Sequence, residues 1–326
     1  MTIQKDLVVQ GWIPVRIASK HDEAEDVVVL ELVSISGVDL PAFTAGSHVD
    51  VEIAPGLVRQ YSLCNAPDSS KHYRIGVLKE PNSRGGSITV HQNLQVGHEI
   101  RISAPRNLFA LDPSAKRVKL LAGGIGITPI LAMAEHLLRQ DVPFSMNYCC
   151  RAEGKAAFKN YLSTPPFSSM VSFHFDEGGV RLNPATDIGT WSEGAHLYVC
   201  GPGGFIDFVL GSARALGWPE SSIHREYFVA PLVDTSDDTA FEVRVASSGQ
   251  TVRVCADQTI VEALAGIGIE VEMSCEQGIC GTCLTRVLEG EPDHRDMFLT
   301  NEEHTLNNQM TLCCSRSRSK VLVLDL

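Results

Sequence analysis

The sequence contains no apolar run long enough to cross a bilayer. Its longest stretch free of Asp, Glu, Lys, Arg and His, Leu120 to Ala134, is broken by glycines and falls short of the roughly 20 residues a spanning helix needs. The opening MTIQKDLVVQGWIPVRIASK has no apolar core, so no secretory signal is expected. Cations are also scarce: 27 Lys and Arg face 39 Asp and Glu, for a net charge of -12 and a pI near 5.4. So acidic a surface repels nucleic acid and anionic membrane, and neither is an expected partner. It suits a basic face on another protein, or solubility alone. No low-complexity tract and no internal repeat is present. Ten cysteines without an export signal argue against a disulfide framework and for metal ligands or buried thiols. The chain therefore reads as cytoplasmic.

At 326 residues, 44% hydrophobic and 20% charged, the chain calls for two or three cores. Residues 1–111 are strand-rich: EDVVVLELVS, SHVDVEI and HYRIGVLK are separated by turn residues, as in an antiparallel β-barrel. Residues 112–231 change period. RVKLLAGG, FSMNYCC and HLYVCG read as buried parallel strands, and PILAMAEHLLRQ, KAAFKNYLS and FIDFVLGSARALG as helices. That alternation predicts an α/β domain with a parallel sheet. LVDTSDDTA, 232–240, reads as a linker. From Phe241, a hairpin around Ser-Gly, a short helix TIVEALAGIG and a closing strand KVLVLDL suggest a small α+β domain over 241–326.

That last domain carries Cys275, Cys280, Cys283 and Cys313, at C-x4-C-x2-C-x29-C. Structural zinc prefers short paired spacings, whereas this is the plant-type [2Fe–2S] pattern. Gly278 and Gly281 let such a loop turn and aim backbone N–H groups at sulfur. Cys314 is a rival for the fourth ligand. Adjacent side chains of an extended segment point opposite ways, and the spacing favours Cys313. Cys64, Cys149, Cys150 and Cys255 read as small buried hydrophobes. A one-electron cluster cannot take hydride itself, so an upstream flavin is implied.

Two further sets of residues fit that need. In RQYSL, Arg59 suits a flavin phosphate, Tyr61 the ring or ribityl chain, and Ser62 the ring near N5. Lys79, Gly85, Gly86 and Ser87, within GVLKEPNSRGGSITV, supply cation, bare backbone and hydroxyl for phosphate. AGGIGITPI follows a strand and opens a helix. There Gly123, Gly124 and Gly126 clear space for a pyrophosphate, Thr128 is expected to N-cap the helix and Pro129 to take its first position. CGPGGF ends a later strand, with Cys200, Gly201 and Pro202 beside the expected nicotinamide. In REYF, Phe228, or alternatively Tyr227, is expected to cover the flavin face. Arg151 follows the second α/β strand, where a cation can receive a 2′-phosphate; NADPH therefore stays open as a donor.

RQYSL is similar to the R-x-Y-S signature of the ferredoxin–NADP reductase superfamily. Over essentially its whole length the chain resembles the phthalate dioxygenase reductase family, the reductases of Rieske-type oxygenase systems, which include vanillate demethylase and carnitine monooxygenase reductases. GSHVDV, RQYSL, EPNSRGGS, PRNLFAL, AGGIGITPI, CGP, CEQGICGTC, GEPDHRDMFLT and CCSRSRSKVLVLDL carry that resemblance. It implies FMN rather than FAD, held by Arg59, Tyr61, Ser62, Lys79 and Ser87, with NADH as usual donor and a Rieske-type terminal oxygenase as protein partner. It also implies a monomer. Gln60 stands at the variable position of the motif. Two other classes stay open: a reductase serving a cytochrome P450 or a diiron hydroxylase, and a redox sensor. The sensor has no need of two nucleotide motifs.

Overall fold

The computed structural model describes residues 11–67, 71–81, 85–230 and 234–326. By internal contacts the chain divides into two compact units, meeting between Glu226 and Tyr227.

The first unit begins with β1 (Ile13–Ala24), β2 (Val27–Ser34), β3 (His48–Ala54), β4 (Leu57–Ser62), β5 (His72–Leu78), α1 (Gly86–Gln92) and β6 (Glu99–Ile102). These strands form one antiparallel sheet in the order β4-β3-β6-β1-β2-β5. An isolated bridge between Leu63 and Ile75 joins the two ends, which closes the sheet into a barrel. The apolar run of β2 has a physical reason. Val28, Leu30 and Leu32 point into the barrel core, while Val27 and Val29 join the core of the next layer. A strand buried on both faces loses the polar alternation of a half-exposed one.

That next layer contains β7 (Arg117–Gly123), α2 (Ile127–Arg139), β8 (Phe144–Cys150), α3 (Lys159–Leu162), β9 (Val171–Phe175), β10 (Ala195–Gly201), α4 (Gly203–Ala215) and β11 (Ile223–Tyr227). Sheet order is β11-β10-β7-β8-β9, and β10, β7, β8 and β9 run parallel. The expected KAAFKNYLS helix shrinks to the four residues of α3. Phe158 takes a left-handed φ of 61°, and its N–H is drawn to Glu23 Oε1 at 2.9 Å, so the helix cannot extend backward through it. β9 is a strand that the sequence reading passed over.

The second unit holds β12 (Phe241–Val245), β13 (Thr251–Val254), α5 (Ile260–Ala265), β14 (Leu284–Glu289), β15 (Pro292–Asp293), α6 (Asn301–Leu306), β16 (Gln309–Thr311), β17 (Arg316–Ser317) and β18 (Val321–Leu324). The five-stranded sheet runs β13-β12-β18-β14-β16, with β18 parallel to β12. The hairpin and the closing strand fall where the alternation placed them. Thr259 and Glu262 form a capping box on α5, a motif whose loss typically costs about 1 kcal/mol. The 232–240 segment is not free along its described part. Asp238 has a 7% exposed side chain, takes both prongs of the Arg295 guanidinium and also meets Arg316 at 3.3 Å.

Candidate functional site

In the first unit, β4 carries Arg59, Tyr61 and Ser62. Residues alternate faces along a strand, so Arg59 and Tyr61 share one face and Ser62 takes the other. Tyr61 packs against the barrel core, and burial pushes its phenol up. Ser62 is buried. The Arg59 side chain lies across the start of α1: a Cβ on Gly86 would sit 2.8 Å from Arg59 Cγ and 3.1 Å from its Nε. The cation and the glycines of the phosphate loop therefore come together. Gly85 adopts φ 91°, open to glycine and strained for other residues. Ser87 Oγ accepts the Glu80 N–H at 3.0 Å, and Lys79 is exposed at the end of β5. Residues 82–84 of the expected loop lie outside the described residues. Gln60 faces the other way and donates to Asp50 Oδ1 at 3.0 Å, alongside the Arg106–Asp50 ion pair.

The sequence reading missed Lys20. Its ammonium donates to the carbonyls of Val90, His91 and Leu94 at 2.9, 2.8 and 2.7 Å. Val90 and His91 are last-turn acceptors that α1 cannot satisfy itself, and Leu94 follows its C-cap, so Lys20 fixes the helix whose other end faces Arg59. Burial lowers its pKa, against the opposing charge of Asp22. No local sequence signal joins residues 70 apart.

The two glycine motifs meet at the carboxyl ends of neighbouring strands, where Cys200 pairs with Ala122. A Cβ on Gly126 would lie 2.3 Å from Cys200 O and 2.6 Å from Gly201 N. One on Gly123 would meet the Phe205 ring at 2.7 Å and Pro202 Cδ at 3.0 Å. Gly124 adopts φ 51° with open space around it. The capping expectation is corrected. A short 3-10 turn, Gly124–Gly126, precedes the helix; Gly126 is its N-cap, and Pro129 stands third rather than first. Proline is tolerated there because first-turn N–H groups lack intrahelical acceptors. Thr128 instead donates its hydroxyl to Ile125 O at 3.0 Å. Its methyl packs on barrel strand β5, where a Cβ on Gly76 would be 2.9 Å away. Thr128 thereby seats the nucleotide motif against the barrel.

Cys200 is fully buried, and burial, with Glu226 beside it, pushes its thiol well up. Glu226 was also missed. Its Oε2 is shut from solvent without a hydrogen-bond partner, and desolvation raises the carboxyl to about 8. An unsatisfied buried carboxyl beside a bare-backbone motif marks a place for a hydrogen-bonding ligand. Tyr227 and Phe228 belong to the C-terminal unit, where Phe228 is 36% exposed. Arg151 is exposed.

In the second unit, the thiols of Cys275, Cys280, Cys283 and Cys313 converge. Cys275 has Cys280 and Cys313 as side-chain partners, and Cys283 also reaches Cys313. Backbone N–H groups of Gln277 and Ile279 point at Cys275 Sγ (3.4 and 3.3 Å), Gly278 at Cys313 Sγ (3.2 Å) and Thr282 at Cys280 Sγ (3.4 Å). Hydrogen bonds from Cys280 and Cys313, then from Gln277 and Ile279, hold the Cys275 thiol well below its usual range. Cys280 and Cys313 are pushed up by the same partnership. Four converging sulfurs ringed by amide donors fit a dianionic or more negative thiolate-bound centre. Cys314 Sγ meets the hydroxyls of Thr311 and Ser315 at 3.2 and 3.8 Å and also partners the Cys313 thiol. Among the expected buried thiols, Cys255 is exposed. It follows the end of β13, where its carbonyl accepts from Arg316.

A family model described as a 2Fe-2S iron-sulfur cluster binding domain matches residues 243–318. Vanillate O-demethylase oxidoreductase of Pseudomonas sp. (strain HR199 / DSM 7063) is 52% identical over 96% of this chain and 100% of its own. The solved phthalate dioxygenase reductase superposes with a TM-score of 0.77 at 37% identity, covering 97% of this chain and 98% of that one. This chain belongs to the phthalate dioxygenase reductase family. Its fold also matches an intact type IV self-sufficient cytochrome P450 monooxygenase, with a TM-score of 0.84 and 36% identity; 97% of this chain aligns, on 41% of that longer one. The family's reductase is described as a modular structure for electron transfer from pyridine nucleotides to [2Fe-2S]. Among the described residues, no helix is long and apolar enough to cross a membrane.

Proposed function

We propose that this chain is the reductase component of a two-component, Rieske-type non-haem iron oxygenase, taking reducing equivalents from NADH and delivering them singly to the oxygenase. The observation that carries this reading is one chain holding both the paired glycine ends of β7 and β10 and a four-sulfur centre ringed by N–H donors. When bound, FMN converts a two-electron hydride input into single electrons, and the [2Fe-2S] cluster stores one.

The chain's own residues then have these tasks. Arg59 and the bare backbone at Gly85 and Gly86, with Lys79 and Ser87 nearby in sequence, hold the FMN phosphate; Tyr61 and Ser62 border the ring. Gly123, Gly124 and Gly126, with Thr128, Pro129, Gly201 and Pro202, admit the dinucleotide. Glu226 offers a carboxyl for the carboxamide of nicotinamide beside Cys200. Cys275, Cys280, Cys283 and Cys313 ligate the cluster, and their N–H donors spread the charge on sulfur. Hydride transfer requires no proton-moving residue here. We read the protein as a cytoplasmic monomer, with domains at 1–111, 112–231 and 241–326.

The test is an anaerobic titration with NADH, followed by absorbance and EPR. About three electrons per chain are expected, two on flavin and one on the cluster. Uptake of two with no EPR-active cluster would defeat the reading. The fold match to a P450 fusion supports a second reading, a haem partner. Purified Rieske oxygenase and P450 components, compared as acceptors, separate the two.

A further inference from the structure

The cysteine loop turns through two left-handed glycines, Gly278 (φ 70°) and Gly281 (φ 72°). The same short segment covers both. A Cβ on Gly278 would strike Cys314 Sγ at 2.3 Å and lie 2.9 Å from Asp296 Cβ and 3.0 Å from its Cα; one on Gly281 would lie 2.3–2.6 Å from the Phe298 ring. The Met297 N–H donates to Gly278 O at 3.0 Å. Residues 296–298 are thus pressed onto the turn whose N–H groups reach Cys275 and Cys313.

One side chain shapes that segment. The Asp296 carboxylate has 0% exposure. Its Oδ2 accepts the N–H groups of Phe298 (3.2 Å) and Leu299 (2.7 Å), and its Oδ1 pairs with His304 Nε2 at 3.2 Å. His304 sits on α6, whose start is fixed by the Thr300–Glu303 capping box. His294 stacks on His304, centroids 4.4 Å apart and planes at 21°, and pairs with Asn307 through Nε2. Its Nδ1 is buried without a hydrogen bond, 3.8 Å from Asp296 Oδ1. His294, Asp296 and His304 bring three ligand-type atoms together. Imidazole lone pairs lie in the ring plane, however, and those of two stacked rings run side by side instead of converging on one ion. The trio is built as a brace.

We propose that Asp296 is a positioning residue for the cluster, shaping the 296–299 segment so that it presses the 276–279 turn into the geometry that aims its N–H groups at sulfur. This rests on the cluster reading of the four cysteines. Hydrogen bonds to cluster sulfur tune potential and stability, so the brace sets both.

The experiment compares holoprotein carrying Asp296→Ala, Asp296→Asn or His304→Phe with wild type. It reads iron content, EPR g-values after reduction, cluster loss to a chelator, and midpoint potential. Asparagine keeps an oxygen for the two backbone N–H groups, and both Asp296 variants are uncharged, so their difference isolates geometry from charge. Expected for Asp296→Ala are altered g-values, at least tenfold faster cluster loss, and a flavin-to-cluster equilibrium about tenfold poorer than in Asp296→Asn, or ~59 mV for a one-electron couple. Asp296→Asn should keep near-wild-type g-values. His304→Phe, which keeps the stacking and loses the donor, should move g-values and lability in the alanine direction by a smaller factor. An alanine variant indistinguishable from wild type, or an asparagine variant as altered as alanine, overturns the proposal. If the alanine protein does not fold, an unchanged His304→Phe overturns it. Wild type without iron would instead defeat the cluster reading itself.

Discussion

Glu226→Gln gives a worked test of the first unit. The buried carboxyl moves from an ordinary 4.5 up to about 8 because desolvation disfavours its charged form. The folded state therefore binds a proton that the unfolded state has already released between those two values. Stability from this group is full below about pH 4.5 and is lost as pH rises toward 8. At 1.36 kcal/mol per pH unit the rise corresponds to about 4.8 kcal/mol as an upper bound. The residue as a whole is only partly buried, so the expected loss is about 2–4 kcal/mol. Glutamine has the same shape and no such titration. Trp12, Trp191 and Trp218 are the three tryptophans of the chain, and all fall in the first unit. Their fluorescence during urea unfolding thus follows this unit alone. The wild-type midpoint should fall between pH 5 and 8 relative to that of Glu226→Gln, with the steepest divergence near pH 6–7. Parallel curves would refute the argument that Glu226 is held protonated by burial.

Gly126→Ala should all but abolish NADH-driven flavin reduction and cost about 1–3 kcal/mol or more, because its Cβ would strike the Cys200 carbonyl; stopped-flow with NADH checks this, and near-normal reduction would contradict it. Cys280→Ser should eliminate electron delivery to the oxygenase while leaving NADH–ferricyanide turnover largely intact; equal loss of both would sink the division of roles. Arg59→Ala should loosen FMN by at least tenfold in equilibrium dialysis, and retention of stoichiometric flavin would count against the phosphate assignment. Lys20→Met strips three carbonyls at the end of α1 of their shared donor, so it should also weaken FMN retention, by a smaller factor, with cluster absorbance unchanged.

Much of the architecture was written in local pattern. Alternation and apolar runs placed β2, β3 and β5 of the barrel and β7, β8 and β10 of the parallel sheet, since side-chain period follows backbone geometry. Failures came where distant groups override local preference. Phe158 breaks a helical pattern because Glu23, 135 residues away, claims its N–H. Thr128 looks like a helix cap, but the glycine turn before it starts the helix earlier.

The cysteine spacing and the glycine motifs were fixed by the chain alone, because a cluster loop and a strand-to-helix turn are contiguous and need particular residues at particular offsets. Lys20, Glu226 and Asp296 acquire meaning only after folding. Each is an ordinary charged residue in sequence, and each owes its role to what tertiary packing brings against it: three carbonyls at the end of α1, burial of a carboxyl oxygen beside Cys200, and the glycine turn of the cysteine loop. Burial and the position of a partner far along the chain set the chemistry of a charge, and no local pattern encodes either.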